Sequence, residues 1–302
     1  MGIKLHRELE LEKPIMFVGW PGIGNIGIIA VNTLKDILKA EVFGEIESWD
    51  FFYPRKVSIR EGLLEDLEFS SNKFYCRRLE SKDLIFFIGE EQPTEGGGIY
   101  ASGEKAFQMA NLVLDVGIKF GCQRVYTSGA CVSLTHHQIK PKVCAVIGSE
   151  DLKEEVKKYP NTILMSELGG RGGGEGTITG LNGLLLALAK KRGLESICLM
   201  GEIPDWLTGA SFPYPKASKS VLEVFAEILG IRMDFSFLDK MEAQIEEIVE
   251  SFYAKFPLEM KQEYDQRKFI AQTKPGTITI QAQVYIDEHF KKGGDGGGEK
   301  PT

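Results

Sequence analysis

Two glycine-rich stretches and a pair of glutamates are the residues here whose types and spacing could do chemistry. The first stretch reads Gly19-Trp20-Pro21-Gly22-Ile23-Gly24-Asn25-Ile26-Gly27. Gly22, Gly24 and Gly27 stand in a GxGxxG spacing between an apolar run and a helical pattern. Amides at such a helix start, Asn25 among them, can cradle a pyrophosphate. Glu45 lies about as far on as the acid that would hold a ribose hydroxyl. Trp20-Pro21 is unusual for that fingerprint, and nothing downstream suggests hydride chemistry. These glycines are therefore expected to serve strand–helix packing before ligand chemistry. The second stretch, Gly169-Gly170-Arg171-Gly172-Gly173-Gly174-Glu175-Gly176, leads into a helix that Thr179 can cap. One arginine at a helix start makes a candidate anion site. The Gly-Lys-Ser/Thr ending of a phosphate loop is missing, and a surface loop is the favoured reading.

Glu90 and Glu202 each follow a glycine at the end of an apolar run, and each is soon followed by proline. Two carboxylates on one sheet edge could share acid–base work. With no activating neighbour visible, a structural role as acceptors for loop amides is favoured. His136-His137 lie between Cys131 and Cys144. Adjacent histidines rarely converge on one tetrahedral metal, so no metal site is expected. Ser128-Gly129 does not form a nucleophile elbow. No catalytic residue and no cofactor are assigned.

The elements that must position these residues alternate short apolar runs with amphipathic ones, the pattern of βαβ units. Strands are expected at 14–19, 41–47, 83–89, 124–128, 142–148, 161–165 and 196–201. Helices are expected at 25–39, 102–120, 150–158, 179–192 and 217–229. Residues 50–80 mix aromatics, β-branched residues and turn formers, and read as an antiparallel hairpin insertion. Repeated Gly-polar strand ends (Gly19-Trp20, Gly89-Glu90, Ser128-Gly129, Gly148-Ser149, Gly201-Glu202) fall on the carboxyl edge, where wound sheets bind ligands. The expected fold is α/β: three layers, α/β/α, around a mostly parallel, twisted sheet. The core spans 1–233, a helical C-terminal extension 234–292, and a flexible polar tail 293–302.

In the extension, Leu238, Met241, Ile245, Ile248 and Phe252 step by threes and fours. Helices are also expected at 257–270 and 277–291. The stripe must be buried somewhere. An ordinary helix packed on the body is one reading; because both sheet faces have helices by residue 230, the stripe is also expected to contribute to a homo-oligomer contact.

Hydrophobic residues make up 43% and charged residues 26% of 302, which excludes disorder for the body of the chain. The net charge of −7 comes without a Lys/Arg cluster, which argues against a nucleic-acid partner. No signal-peptide pattern and no membrane-length apolar run are present, and the five cysteines form no CxxC pair. The expectation is a soluble cytoplasmic protein with reduced thiols.

Together the motifs resemble the proteasome-assembly-chaperone-2 family over roughly residues 10–255. The matching pieces are the 19–27 loop, the Gly-Glu ends at 89–90 and 201–202, Thr179-Gly180-Leu181-Asn182-Gly183-Leu184-Leu185, and Ala217-Ser218 opening the helix that closes Ile228-Leu229-Gly230. The resemblance implies a phosphorylase-like three-layer fold and a homo-oligomeric, non-enzymatic role in helping proteasome subunits assemble. Archaeal chaperones of this type dock through a C-terminal hydrophobic–Tyr–any tripeptide. This sequence ends Glu299-Lys300-Pro301-Thr302, and its Val284-Tyr285-Ile286 is internal. Docking by a terminal tail is not expected. The alternative is a small-molecule or nucleotide-binding enzyme that uses the strand-end edge.

Overall fold

The computed structural model describes residues 2–95, 101–167 and 176–272. In chain order the elements are β1 (Ile3–Leu5), β2 (Ile15–Gly19), α1 (Ile26–Ile37), β3 (Glu41–Ile46), β4 (Lys56–Arg60), β5 (Leu63–Glu68), β6 (Asn72–Arg78), β7 (Asp83–Gly89), α2 (Gly103–Lys119), β8 (Arg124–Ser133), β9 (Val143–Ile147), α3 (Lys153–Val156), β10 (Thr162–Leu164), α4 (Gly180–Lys191), β11 (Glu195–Pro204), α5 (Pro215–Leu229), α6 (Ser236–Tyr253) and α7 (Leu258–Gln272). The expected helix at 277–291, the tail at 293–302 and Arg171 lie outside the described residues.

Nine strands form one sheet in the order β1-β3-β6-β7-β2-β8-β11-β9-β10. The expectation of a mostly parallel sheet is corrected. Only β7, β2, β8 and β11 run parallel as a central block. On one side β6 is antiparallel to β7, β3 to β6 and β1 to β3. On the other side β9 is antiparallel to β11 and carries β10 parallel to itself. Connection length explains the β6–β7 pair. Four residues join those strands, enough for a turn back and far too few for a crossover helix.

The central strands are apolar on both faces, as a sheet covered on both sides requires. On β2, Phe17 points to the layer of α1 and α5, where it stacks on Phe86 and Tyr126 and meets Phe225 edge-on. Its neighbours Met16 and Val18 point to the layer of α2 and α4. α5 starts with Pro215 in its first turn and stops at Gly230, whose φ of 65° suits a glycine C-cap. β4 and β5 form a separate two-stranded hairpin, turned at Glu61-Gly62 with φ of 51° and 79°. Positive φ at both turn residues matches the twist of the flanking strands. The hairpin joins β3 to β6, so it rises beside the carboxyl ends of the central block.

Candidate functional site

A ligand in such a sheet would sit in the crevice at the carboxyl ends of β2 and β8, between the starts of α1 and α4. This chain fills that crevice itself. An added Cβ at Gly27 would drive into the Ser128 carbonyl, so α1 lies directly on β8. The side-chain amide of Asn182, in the first turn of α4, donates to that same carbonyl at 2.7 Å. Gln92 bridges the two sides. Its Nε2 donates to the Pro21 carbonyl at 2.6 Å, and its Oε1 accepts the Leu181 amide at 2.9 Å. The start of α2 is met by Glu95, whose Oε1 accepts from the Glu104 amide at 2.8 Å. At the starts of α4 and α2, the dipole ends that could hold an anion thus face the protein's own acceptors.

The three glycines of the first loop have different reasons to be there. Gly24 has φ of 59°, and its carbonyl accepts the Tyr214 amide at 2.8 Å, which ties the loop to the start of α5. Gly27 is fixed by close approach to β8. Gly22 is extended at φ of −167°, and an added Cβ would have nothing within 4 Å. The packing expectation for Gly22 is therefore corrected. Asn25 takes φ of 50° where the short 3-10 turn passes into α1, and its amide donates to the Gly22 carbonyl. Glu45 lies on β3, with β6 and β7 between it and β2, and a His6 ring nitrogen lies 3.9 Å from it. It is not placed to meet a ribose beside the first loop.

Glu90 and Glu202 are not brought together. β2 and β8 stand between their strands, three strand spacings or roughly 14 Å. Glu90 is exposed; it accepts the Ser71 amide at 3.0 Å and pairs with Arg55 at 3.2 Å. Glu202 is buried and accepts the Lys142 amide at 2.9 Å, while its own amide donates to the Lys142 carbonyl. Each carboxylate holds a loop in place. Among the described residues, two clefts lie elsewhere. One of about 720 Å³ is walled by the 5–11 segment, the end of β6 and the end of α2. Another of about 450 Å³ lies over β9 and β10 beside α4. Among the described residues no three His, Cys, Asp or Glu side chains converge as metal ligands.

The sequence model of the PAC2 family matches residues 16–252. The chain belongs to the PAC2 family. A Methanocaldococcus jannaschii protein without assigned function is 31% identical over 251 residues, 83% of this chain and 86% of the relative. The crystal structure of Pyrococcus furiosus PbaB, described as an archaeal proteasome activator, is 31% identical. The match covers 83% of this chain and 98% of that one, with a TM-score of 0.68. P. furiosus PbaA, described as an archaeal homologue of proteasome-assembly chaperone, is 24% identical. That match covers 89% of this chain and 98% of PbaA, with a TM-score of 0.61, and it shows the shared fold.

The PAC2 motif residues thus have packing roles in this chain. Gly180 takes φ of 72° beside Gln92, and Gly183 presses on the Ile178 carbonyl. Gly201 lies against the backbone of Ala217 at the start of α5, where a Cβ would fall 2.8 Å from the Ala217 carbonyl oxygen. The stripe on α6 divides. Leu238 is buried, and Met241 and Ile245 pack on the subunit's own core. Ile248 and Phe252 are exposed at 40% and 49%. The body has room for half the stripe, contrary to the argument from crowded sheet faces.

Sequence reading missed the cluster that seats α6 and α7. His136 and His137 stack at 4.2 Å among Trp206, Tyr253, Phe256 and Tyr264. His137 meets Glu250 at 3.1 Å, and His136 meets Asp265 at 3.3 Å. Burial, with the neighbouring His137, pulls His136 down to about 4, so both rings pack as neutral groups near pH 7. The available signal was Tyr253, Phe256 and Tyr264 recurring on two helical patterns whose remaining residues are mostly charged.

Proposed function

We propose that this chain is a proteasome-assembly-chaperone-like protein: a homo-oligomeric, cytoplasmic, protein-binding factor that works without a catalytic site. Membership of the PAC2 family over residues 16–252 carries the reading. The likeness to PbaB and PbaA supports proteasome subunits as the partner. The filled crevice supports a role in which surface, not pocket, does the binding. The core at 1–233 is read as phosphorylase-like in plan, with 234–292 as a helical extension.

A binding surface stands beside that crevice. Val57, Ile59 and Leu64 share one face of the β4–β5 hairpin and are exposed at 47%, 68% and 72%. A two-stranded hairpin is marginal alone in water, and clustered apolar exposure marks interaction sites. Given the family membership, this face is read as meeting protein.

The test is capture of purified proteasome α and β subunits by the tagged chain. Stoichiometric capture is expected, with at least tenfold weaker capture by Ile59→Glu/Leu64→Glu. Failure to retain any subunit, with the tagged chain folded, overturns the reading.

A further inference from the structure

α6 is used on two sides by its own subunit. Leu238, Val249 and Tyr253 are buried beneath it. Along its flank Asp239 pairs with Lys219 at 2.5 Å and Glu246 with Lys216 at 2.5 Å, so these two acids are tied to α5. A third row faces outward: Phe237, Gln244, Ile248 and Phe252, with half-buried Met241 at its edge towards the core. Phe237 is 64% exposed, and Phe212 backs Phe252 at 6.1 Å. The row advances by threes and fours, the spacing of a helix–helix seam. Asp234, Lys240, Glu247 and Lys255 border it. Lys240 and Glu247 join no ion pair among the described residues.

The order of this row is nearly the same from either end. Phenylalanines close both ends, Met241 and Ile248 come next, and Gln244 is central. Such a row is complementary to itself under a twofold axis, where the same patch serves both subunits. The charges agree. In an antiparallel pair that sets Phe237 against the partner's Phe252, Lys255, just past the end of α6, comes to the end where the partner's Asp234 precedes its α6 and caps Ser236. Lys240 then approaches the partner's Glu247. A parallel pair would set each charge beside its own kind.

We propose that the outer row of α6 is an isologous, antiparallel seam between two copies of this chain, centred on Gln244. This rests on the homo-oligomer part of the reading above and reassigns the contact. Phe237 and Gln244 join it, Leu238 and Ile245 leave it for the subunit core, and Met241, Ile248 and Phe252 remain. The occupant is a second copy because both shape and charge match the row's own reverse.

The test joins light scattering to cross-linking in the full chain. Wild type is expected at an even multiple of the chain mass, and Ile248→Glu at half that mass with its fold retained by circular dichroism. Gln244 is exposed, so Gln244→Cys tests the axis without disturbing the core. It is expected to form a disulfide-linked dimer under mild oxidant, while Lys240→Cys, more than a helical turn from the axis, does not. An oligomer that survives Ile248→Glu and gives no Gln244→Cys cross-link overturns the seam and leaves the homo-oligomer reading standing. A monomeric wild type overturns both. In that event, deletion of residues 273–302 that speeds amide exchange around Ile248 would assign the row to the chain's own C-terminal residues.

Discussion

At the scale of single residues, the first loop shows how one motif can hold three different constraints. A GxGxxG spacing is legible at once, but the spacing does not say what each glycine avoids. Gly27 avoids the Ser128 carbonyl, Gly24 needs a positive φ, and Gly22 avoids nothing nearby. Gly27→Ala is expected to cost about 3 kcal/mol or more, because backbone on both sides must part. Gly24→Ala is expected to cost about 1–2 kcal/mol for its left-handed backbone. Gly22→Ala is expected to change stability by less than about 0.5 kcal/mol. Urea unfolding of the three variants checks the order; equal losses would mean that the loop acts as one rigid unit. Gln92 and Asn182 were not legible as keystones. Their role depends on which loops meet at the crevice, and that is set by strand order.

Among the elements, the apolar runs located the central strands well, because strands buried on both faces carry an unmistakable composition. Strand direction was not legible. β9 has the same apolar texture as β2, yet it runs the other way, since direction follows from the connections. α6 was visible as an amphipathic stripe, but periodicity does not name the neighbour that covers it. The seat of α6 and α7 yields a pH prediction. His136 is neutral in the folded protein down to about 4, while in the unfolded chain it takes a proton near its ordinary value of 6.5. Between those limits the unfolded state binds more protons, so stability is full above pH 6.5 and falls as pH drops toward 4. Over 2.5 units the loss approaches about 3 kcal/mol at 1.36 kcal/mol per unit. Glu250, held below the usual carboxylate range by Gln138 and His137 against the cost of burial, weakens the same seat as it gains a proton. Thermal melts from pH 7 to 4.5 should show a falling midpoint. His136→Gln should flatten that slope; an unchanged slope would remove His136 as its source.

For the molecule as a whole, the decisive comparison is between a crevice that could bind small molecules and a surface that could bind proteins. The carboxyl edge raised the former as the alternative, because glycines and glutamates gather there. Folding commits polar groups near that edge to the protein itself: Gln92 and Asn182 are engaged at the start of α4, Glu95 at the start of α2, and Glu202 closes on Lys142. A nucleotide or phosphate entering the crevice would have to break these hydrogen bonds and part Gly27 from Ser128. A ligand that binds only the folded state raises its stability by RT ln(1 + [L]/Kd). If the crevice is closed, Kd stays at or above millimolar, and 5 mM ligand adds at most about 1 kcal/mol. For a chain of this length, that moves the melting midpoint by no more than about 2–4 °C. ATP, NAD, adenosine and inorganic phosphate at 5 mM are each expected to stay within that bound and to show no saturation. A saturable rise beyond it with any one of them would require more than about fivefold excess over Kd; a 100-fold excess would add near 2.7 kcal/mol. It would mean that Gln92 and Asn182 form a latch that ligand opens, and it would return the edge to enzymology.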